Sequence, residues 1–241
     1  MLYKVKGIVL HSVKYSETSV IVKIYTDLFG LKSFLIRGIR SKKSKIKSGL
    51  FQPLTLLDLV IYHKITASLQ SIKEVHIAYP FKSLPFDIKK SSIALFINEL
   101  LYKSIREEEK NPELFNFLWN SCIQLDRFDG NINCFHLVFS IHLTHFLGIM
   151  PQRNYSDSRQ IFNVKEGQFQ SNIPEHALFL DSENSFTLNT IISTPLEMAS
   201  ILKISPSSRA RLLSTIIIYF QYHLQGFSEM QSHHVLHSIL S

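Results

Sequence analysis

The 241-residue chain is poor in the residues that most often announce a function. Its two cysteines, Cys122 and Cys134, are too few for a four-cysteine zinc site or a disulfide scaffold, and they fit a reducing cytoplasm. Eight glycines and a charged fraction of only 19%, beside 45% hydrophobic residues, argue against collagen-like, low-complexity and disordered classes. No stretch approaches the roughly 20 consecutive apolar residues that cross a bilayer. Lys4 and Lys6 sit in an alternating pattern, unlike the continuous apolar block of a signal peptide. The expectation is a soluble, unexported, cytoplasmic protein with no membrane partner. Neither a Gly-x4-Gly-Lys-Ser/Thr string nor a GxGxxG is present, so nucleotide hydrolysis and a dinucleotide cofactor lack their usual phosphate cradle. No cofactor is expected.

What is present is unevenly distributed. Residues 1–80 hold 13 Lys/Arg against four acids, a net +9, whereas residues 81–241 hold 13 against 15, a net −2. Within the first third, Arg37 to Lys47 reads RGIRSKKSKIK, six cations in eleven residues with no acid among them. Such a run is commonly a solvated loop. Its placement inside a β-rich region of the same sign favours a phosphate-binding surface, because that field concentrates polyanions before contact.

Residues 3–13, 18–26 and 31–37 are rich in β-branched and aromatic side chains with polar residues alternating, and read as a three-strand meander whose second turn is helped by Gly30. Residues 54–65 and 68–77 add two more strands, with Pro53 at the start of the first. Five short strands with a longer third connection match the OB-fold, although an SH3-like barrel shows nearly the same pattern. After Pro80 the period changes to about 3.6. Ile93, Phe96, Ile97, Leu100 and Leu101 share a helical face, and acidic residues 107–109 then give way to a polar linker. Asn111-Pro112 opens a helix faced by Leu114, Phe117, Leu118, Cys122 and Leu125. A buried helix is expected over 132–147, ended by Gly148. Residues 152–192 lose the period and read as a loop-rich insertion with a hairpin turn at Glu166-Gly167. Helix resumes at Pro195 and again from Ser205-Pro206 through Leu224. The fold class is therefore α+β: an N-terminal barrel domain over 1–80 and a mostly helical domain over 81–241.

Catalytic constellations are thin. His142 and His145, and His233 and His237, share helical faces, but no HExxH or cysteine cluster supplies a third ligand, so no metal site is assigned. Cys134 and His136 lie too close along one helix for a nucleophile and base, and Cys122 falls on an apolar face. No catalytic residue is proposed, and the chain is read as a binding protein rather than an enzyme.

The order of strings from 7 to 60 carries more than composition: GIVLHSVKYSETSVIVKIYT, then Gly30, then RGIRSKKSK, then LFQPLTLLDLV. This resembles the RecO family of bacterial recombination mediators, through Glu17 in the first turn, Thr26 and Gly30 around the second, Gly38 with the basic run, and Gln52-Pro53 before the fourth strand. The segment 209–236 resembles the family's terminal helices more loosely. The resemblance implies an N-terminal OB domain and a helical C-terminal domain without turnover. It implies binding of single- and double-stranded DNA and annealing of complementary strands. It further implies contact with the acidic C-terminal tail of single-stranded-DNA-binding protein, and work with a RecR-type partner to load a RecA-type recombinase. Many members carry a four-cysteine zinc finger where this chain has residues 152–192, which contain no cysteine, so zinc does not carry over.

From the residues themselves, Arg37, Arg40, Lys42, Lys43, Lys45 and Lys47 are the candidate phosphate contacts, with Lys23 and Lys32 beside them. Tyr15, Tyr25 and Phe34 are candidate base-stacking platforms, each equally readable as a packing aromatic. On the second strand, Val20, Val22 and Ile24 inward place Ile21, Lys23 and Tyr25 outward; on the third, Lys32 and Phe34 share a face whose direction is ambiguous. The alternative is a protein adaptor whose barrel meets acidic proteins and not DNA.

Overall fold

A computed structural model describes residues 1–39 and 47–240. The five expected strands are β1 (Leu2–Lys14), β2 (Val20–Thr26), β3 (Gly30–Ile36), β4 (Leu56–Tyr62) and β5 (Leu69–Ile77). They close a barrel in the order β1-β2-β3-β5-β4, with β1 antiparallel to both β2 and β4. Closure falls to one short parallel contact, Ser33 with Leu69 and Phe34 with Gln70. That strand order is the OB-fold. Its interior follows from period-2 alternation: Val5, Val9, Val22, Ile24, Phe34, Ile36, Leu57, Leu59 and Ile61 form one buried cluster. A bulge between Val9 and His11 lets the long β1 serve two neighbours.

The chain falls into two compact units, residues 1–85 with 98–126, and residues 86–97 with 127–241. The helices are α1 (Ile88–Ser104), α2 (Pro112–Arg127), α3 (Phe135–Phe146), α4 (Ser182–Ser193), α5 (Pro206–His223) and α6 (Ser232–Leu240). In α1 the expected face is buried throughout: Ile93, Phe96, Ile97, Leu100 and Leu101. The Asn111 side chain caps α2 by accepting the Leu114 amide at 3.0 Å. Gly148, at φ +71°, follows α3, and Ser205 accepts the Ser208 amide at the head of α5.

The hairpin at Glu166-Gly167 joins β6 (Ile161–Asn163) to β7 (Gln168–Gln170), with β8 (Phe179–Leu180) on the other edge of β6. Two further features go beyond the expectation for 152–192. The third strand is only two residues long, and α4 begins at Asp181, whose carboxylate accepts the Asn184 amide at 2.9 Å. Asn154 holds the hairpin by bonding both the amide and the carbonyl of Phe169, at 2.9 and 3.0 Å, so its side chain acts as a further strand residue. Phe162 packs on Phe169 at 5.0 Å. Rings and amides stabilise this sheet, and residues 152–192 offer no thiolate set for zinc.

Candidate nucleic-acid interface

Strand register brings the ends of three strands together at one end of the barrel. Lys14 pairs with Val20, and Val20 with Ile36, so Lys14, the turn Tyr15–Ser19 and Arg37 are neighbours. The turn is tied by the Tyr15 and Ser16 amides donating to the Ser19 carbonyl and by Ser16 Oγ accepting the Ser19 amide. Lys14, Tyr15, Arg37 and Lys47 are exposed. On either side of residues 40–46, Ile39 and Phe51 are each buried in the barrel core. A 3-10 turn (Ser48–Phe51) delivers Phe51 after Lys47. Arg40, Lys42, Lys43 and Lys45 lie outside the described residues. Lys14 was not among the candidate contacts, although its place at the end of a strand, just before Tyr15, marks it.

Other candidates sit in different surroundings. Lys32 donates to the Glu108 carboxylate at 2.9 Å. The Lys23 ammonium lies 5.2 Å from the Tyr102 ring centroid, and His11 stacks on that ring at 4.3 Å. Burial, and then the nearby Lys23 charge, lower the His11 pKa and so favour its neutral form. Tyr25 does point out of the barrel, but it is wholly buried beside Phe115 of α2, with ring centroids 6.2 Å apart. Burial, and then the Glu107 charge, push its hydroxyl up to about 12. Phe34 is wholly buried inside the barrel. Neither Tyr25 nor Phe34 presents a ring to a base, contrary to the expectation of stacking, because both rings are wholly buried; Tyr15 keeps an open ring.

The covering residues come from 98–126. The Leu31 amide donates to the Glu107 carbonyl at 3.0 Å, and Lys6 lies 5.0 Å from the Trp119 ring centroid. Gly30, at φ +62°, lets this segment approach: a Cβ there would lie 2.9 Å from the Glu107 carbonyl oxygen and against that of Glu109. Nothing within the barrel's own sequence marks this cover, and the acidic run 107–109 was its only cue. A second groove, lined by Lys4, Lys6, Asp27, Asp58 and His76, mixes both signs of charge and offers no uniform field for phosphate.

Both thiols are buried, and burial pushes Cys122 up to about 12 and raises Cys134, which holds them protonated. His136 is buried and kept neutral, its pKa lowered to about 3 by burial and then by Arg209. Among the described residues, no three His, Cys, Asp or Glu side chains gather as a metal-binding group. No helix among them is long and apolar enough to cross a membrane.

An OB barrel with exposed Lys14 and Arg37 at one end, followed by a helical body, defines the class: a two-part α+β protein built on an OB module. Residues 1–81 match the family described as recombination protein O N terminal, and residues 85–232 match recombination protein O C terminal. The chain is 39% identical to the DNA repair protein RecO of Phocaeicola vulgatus over the full length of both chains. It is 39% identical to that of Bacteroides fragilis over 98% of each, and 38% identical to that of Flavobacterium psychrophilum over 100% of each. The chain belongs to the RecO family, and with it to the proteins of DNA repair and recombination.

Proposed function

We propose that the protein is a recombination mediator that binds single- and double-stranded DNA through the open end of its barrel. It anneals complementary strands there, and helps load a RecA-type recombinase onto DNA coated by single-stranded-DNA-binding protein. In this reading residues 1–80 hold the DNA and residues 81–241 form the helical body that meets a RecR-type partner and the acidic tail of the coating protein. The work is done by binding, in the cytoplasm, without turnover. One observation supports it: Lys14, Tyr15 and Arg37 lie together at one end of the barrel, where the only carboxylate of the turn is Glu17, and the buried Ile39 and Phe51 stand on either side of residues 40–46. Phosphates neutralised by this group release condensed counterions, so binding is steeply salt-dependent and insensitive to sequence. Annealing follows physically, because screening two backbones at one cationic surface lowers the repulsion between them while leaving base edges free.

The test is the variant Lys42→Glu, Lys43→Glu, Lys45→Glu, Lys47→Glu, titrated against labelled DNA of several lengths. Loss of binding with thermal unfolding nearly unchanged is the expected result. For the native chain on a single strand, about five phosphates give a log–log salt slope near −3.5. Affinity retained by the variant at moderate salt would reject the site, and native protein that binds no DNA would leave the adaptor reading in its place.

A further inference from the structure

A groove of about 430 Å³ runs between α5 and the β8 side of the small sheet. Its apolar lining is Val164, just after β6, Leu178 and Phe179 at β8, and Ile218 of α5, the last three half-buried. Its polar lining is one stripe of α5: Arg211, Ser214 and Thr215 stand at i, i+3 and i+4, the spacing that puts side chains on one face. Hydroxyls within the other helices turn back onto a carbonyl of the preceding turn, as those of Ser121, Ser140, Thr187 and Thr190 do at 2.7–3.0 Å. Among the described residues neither Ser214 nor Thr215 makes that bond, so both hydroxyls remain available to the groove. Arg211 is also loosely held. Its Nε lies 3.8 Å from an Asp181 carboxylate oxygen, beyond hydrogen-bond reach, and both side chains are 52% exposed.

We propose that this groove binds a small apolar monocarboxylate, its carboxylate on Arg211, Ser214 and Thr215 and its hydrocarbon along Leu178, Phe179 and Ile218; the site does not depend on the DNA-binding reading above. The planar guanidinium fork matches a carboxylate, and the two hydroxyls donate to the same oxygens. Three donors on one side and three apolar side chains on the other suit a molecule with one charged end. The volume falls within the roughly 300–1,000 Å³ of small-molecule sites. Charge decides against larger anions. Around the lining in sequence stand Glu166, Glu175, Asp181 and Glu183 against Lys165 and Arg209, and Arg209 is turned onto the carbonyls of Ile204 and Leu240. A chain of phosphates or an acidic peptide therefore meets no positive field here, whereas a single negative charge needs only the Arg211 fork. Ala177 and Ala210, the smallest lining residues, keep the groove open.

The experiment titrates butanoate, hexanoate and octanoate into the full chain, with octan-1-ol as the uncharged control, and follows the methyl NMR signals of Leu178 and Ile218. Those signals should shift, and each methylene added should strengthen binding by up to about fourfold until the groove is filled. Octan-1-ol should bind about tenfold more weakly than octanoate, the scale of hydrogen bonds to a charged group. Arg211→Gln should lower octanoate affinity by about the same factor, and Ala177→Leu should abolish binding by filling the groove. Both positions are at the surface, so thermal unfolding of these variants should stay near that of the native chain. Should either fail to fold, Ser214→Ala with Thr215→Val removes two donors at little cost in volume and should weaken octanoate several-fold. Methyl signals that stay unmoved at millimolar octanoate would overturn the site. So would an affinity indifferent to chain length, octan-1-ol bound as tightly as octanoate, or full affinity kept by the Arg211→Gln or the Ser214→Ala, Thr215→Val protein.

Discussion

The two ends of the barrel both carry cations, in different company. At the end formed by the β2–β3 turn, Lys32 meets Glu108, the Leu31 amide meets the Glu107 carbonyl, and Gly30 lies against the backbone of 107–109. At the other end Lys14, Arg37 and Lys47 are exposed, and Gly38 has nothing within 4 Å of where a Cβ would stand. A net charge of +9 over residues 1–80 does not distinguish these ends. What distinguishes them is where the acidic segment of the following region comes to rest, so a count along the chain gives the sign of the field and the fold decides its address.

Two glycines of similar backbone shape give the sharpest break. Both have positive φ, +62° at Gly30 and +67° at Gly38. Gly30→Ala adds left-handed strain and drives a methyl into fixed backbone, and should cost about 3 kcal/mol or more. Gly38→Ala adds the strain alone, about 1 kcal/mol. Urea unfolding of the two variants measures the difference, and similar losses would mean that the 107–109 segment does not press on the first end.

Next in size is the anchor of that covering segment. Asp126 sits at the end of α2, and its carboxylate accepts the amides of Lys82, Ser83 and Leu84 at 2.8–3.0 Å and the Tyr79 hydroxyl at 3.2 Å. Burial by itself would raise its pKa, but the Leu84, Lys82 and Ser83 amides and the Tyr79 hydroxyl outweigh it and hold the carboxyl below its ordinary value. A folded pKa below the unfolded one means the stabilisation is complete above roughly pH 4 and is lost as pH falls through the folded value. Asp126→Asn should cost about 2 kcal/mol at pH 7, since the amide oxygen can replace one carboxylate oxygen while the NH2 cannot accept from the donors of the other, and the charge is lost. The variant's stability should also fall less steeply below about pH 4 than that of the native chain. Parallel acid profiles for the two proteins would refute this assignment.

Much of this was legible before the structure, for identifiable reasons. Period-2 alternation located all five strands and sent Ile21, Lys23 and Tyr25 outward, because one face of each strand must fill the barrel. Alternation says nothing of what later covers the outer face, which is why Tyr25 looked available while Phe115 encloses it. On β3 the sequence left the direction open, since Lys32 and Phe34 share a face; the interior takes Phe34 entirely, and Lys32 ends on Glu108 instead. Helix α4 escaped notice because few of its positions, among them Leu188, Ile191 and Ile192, are buried apolar side chains, too few to display a period. The cations of the run were plain from composition, and the burial of Ile39 and Phe51 in one barrel core was not, because those two residues are far apart in any local pattern.

The smallest effect tests whether the ion pair or the backbone approach closes the first end. Glu108 is 75% exposed at its side chain while Lys32 is 16% exposed, so one partner remains in water and screening is strong. A double-mutant cycle of Lys32→Met and Glu108→Gln should therefore return a coupling below about 1 kcal/mol. Lys32→Met should leave DNA affinity within about twofold, whereas Lys47→Glu, at an exposed cation of the other end, should weaken it several-fold and flatten the salt dependence. Were Lys32→Met to weaken DNA binding as much as Lys47→Glu, the carboxylate would not be holding Lys32 away from phosphate. The contrast between the ends would then rest on the backbone approach of 107–109 to Gly30 and Leu31.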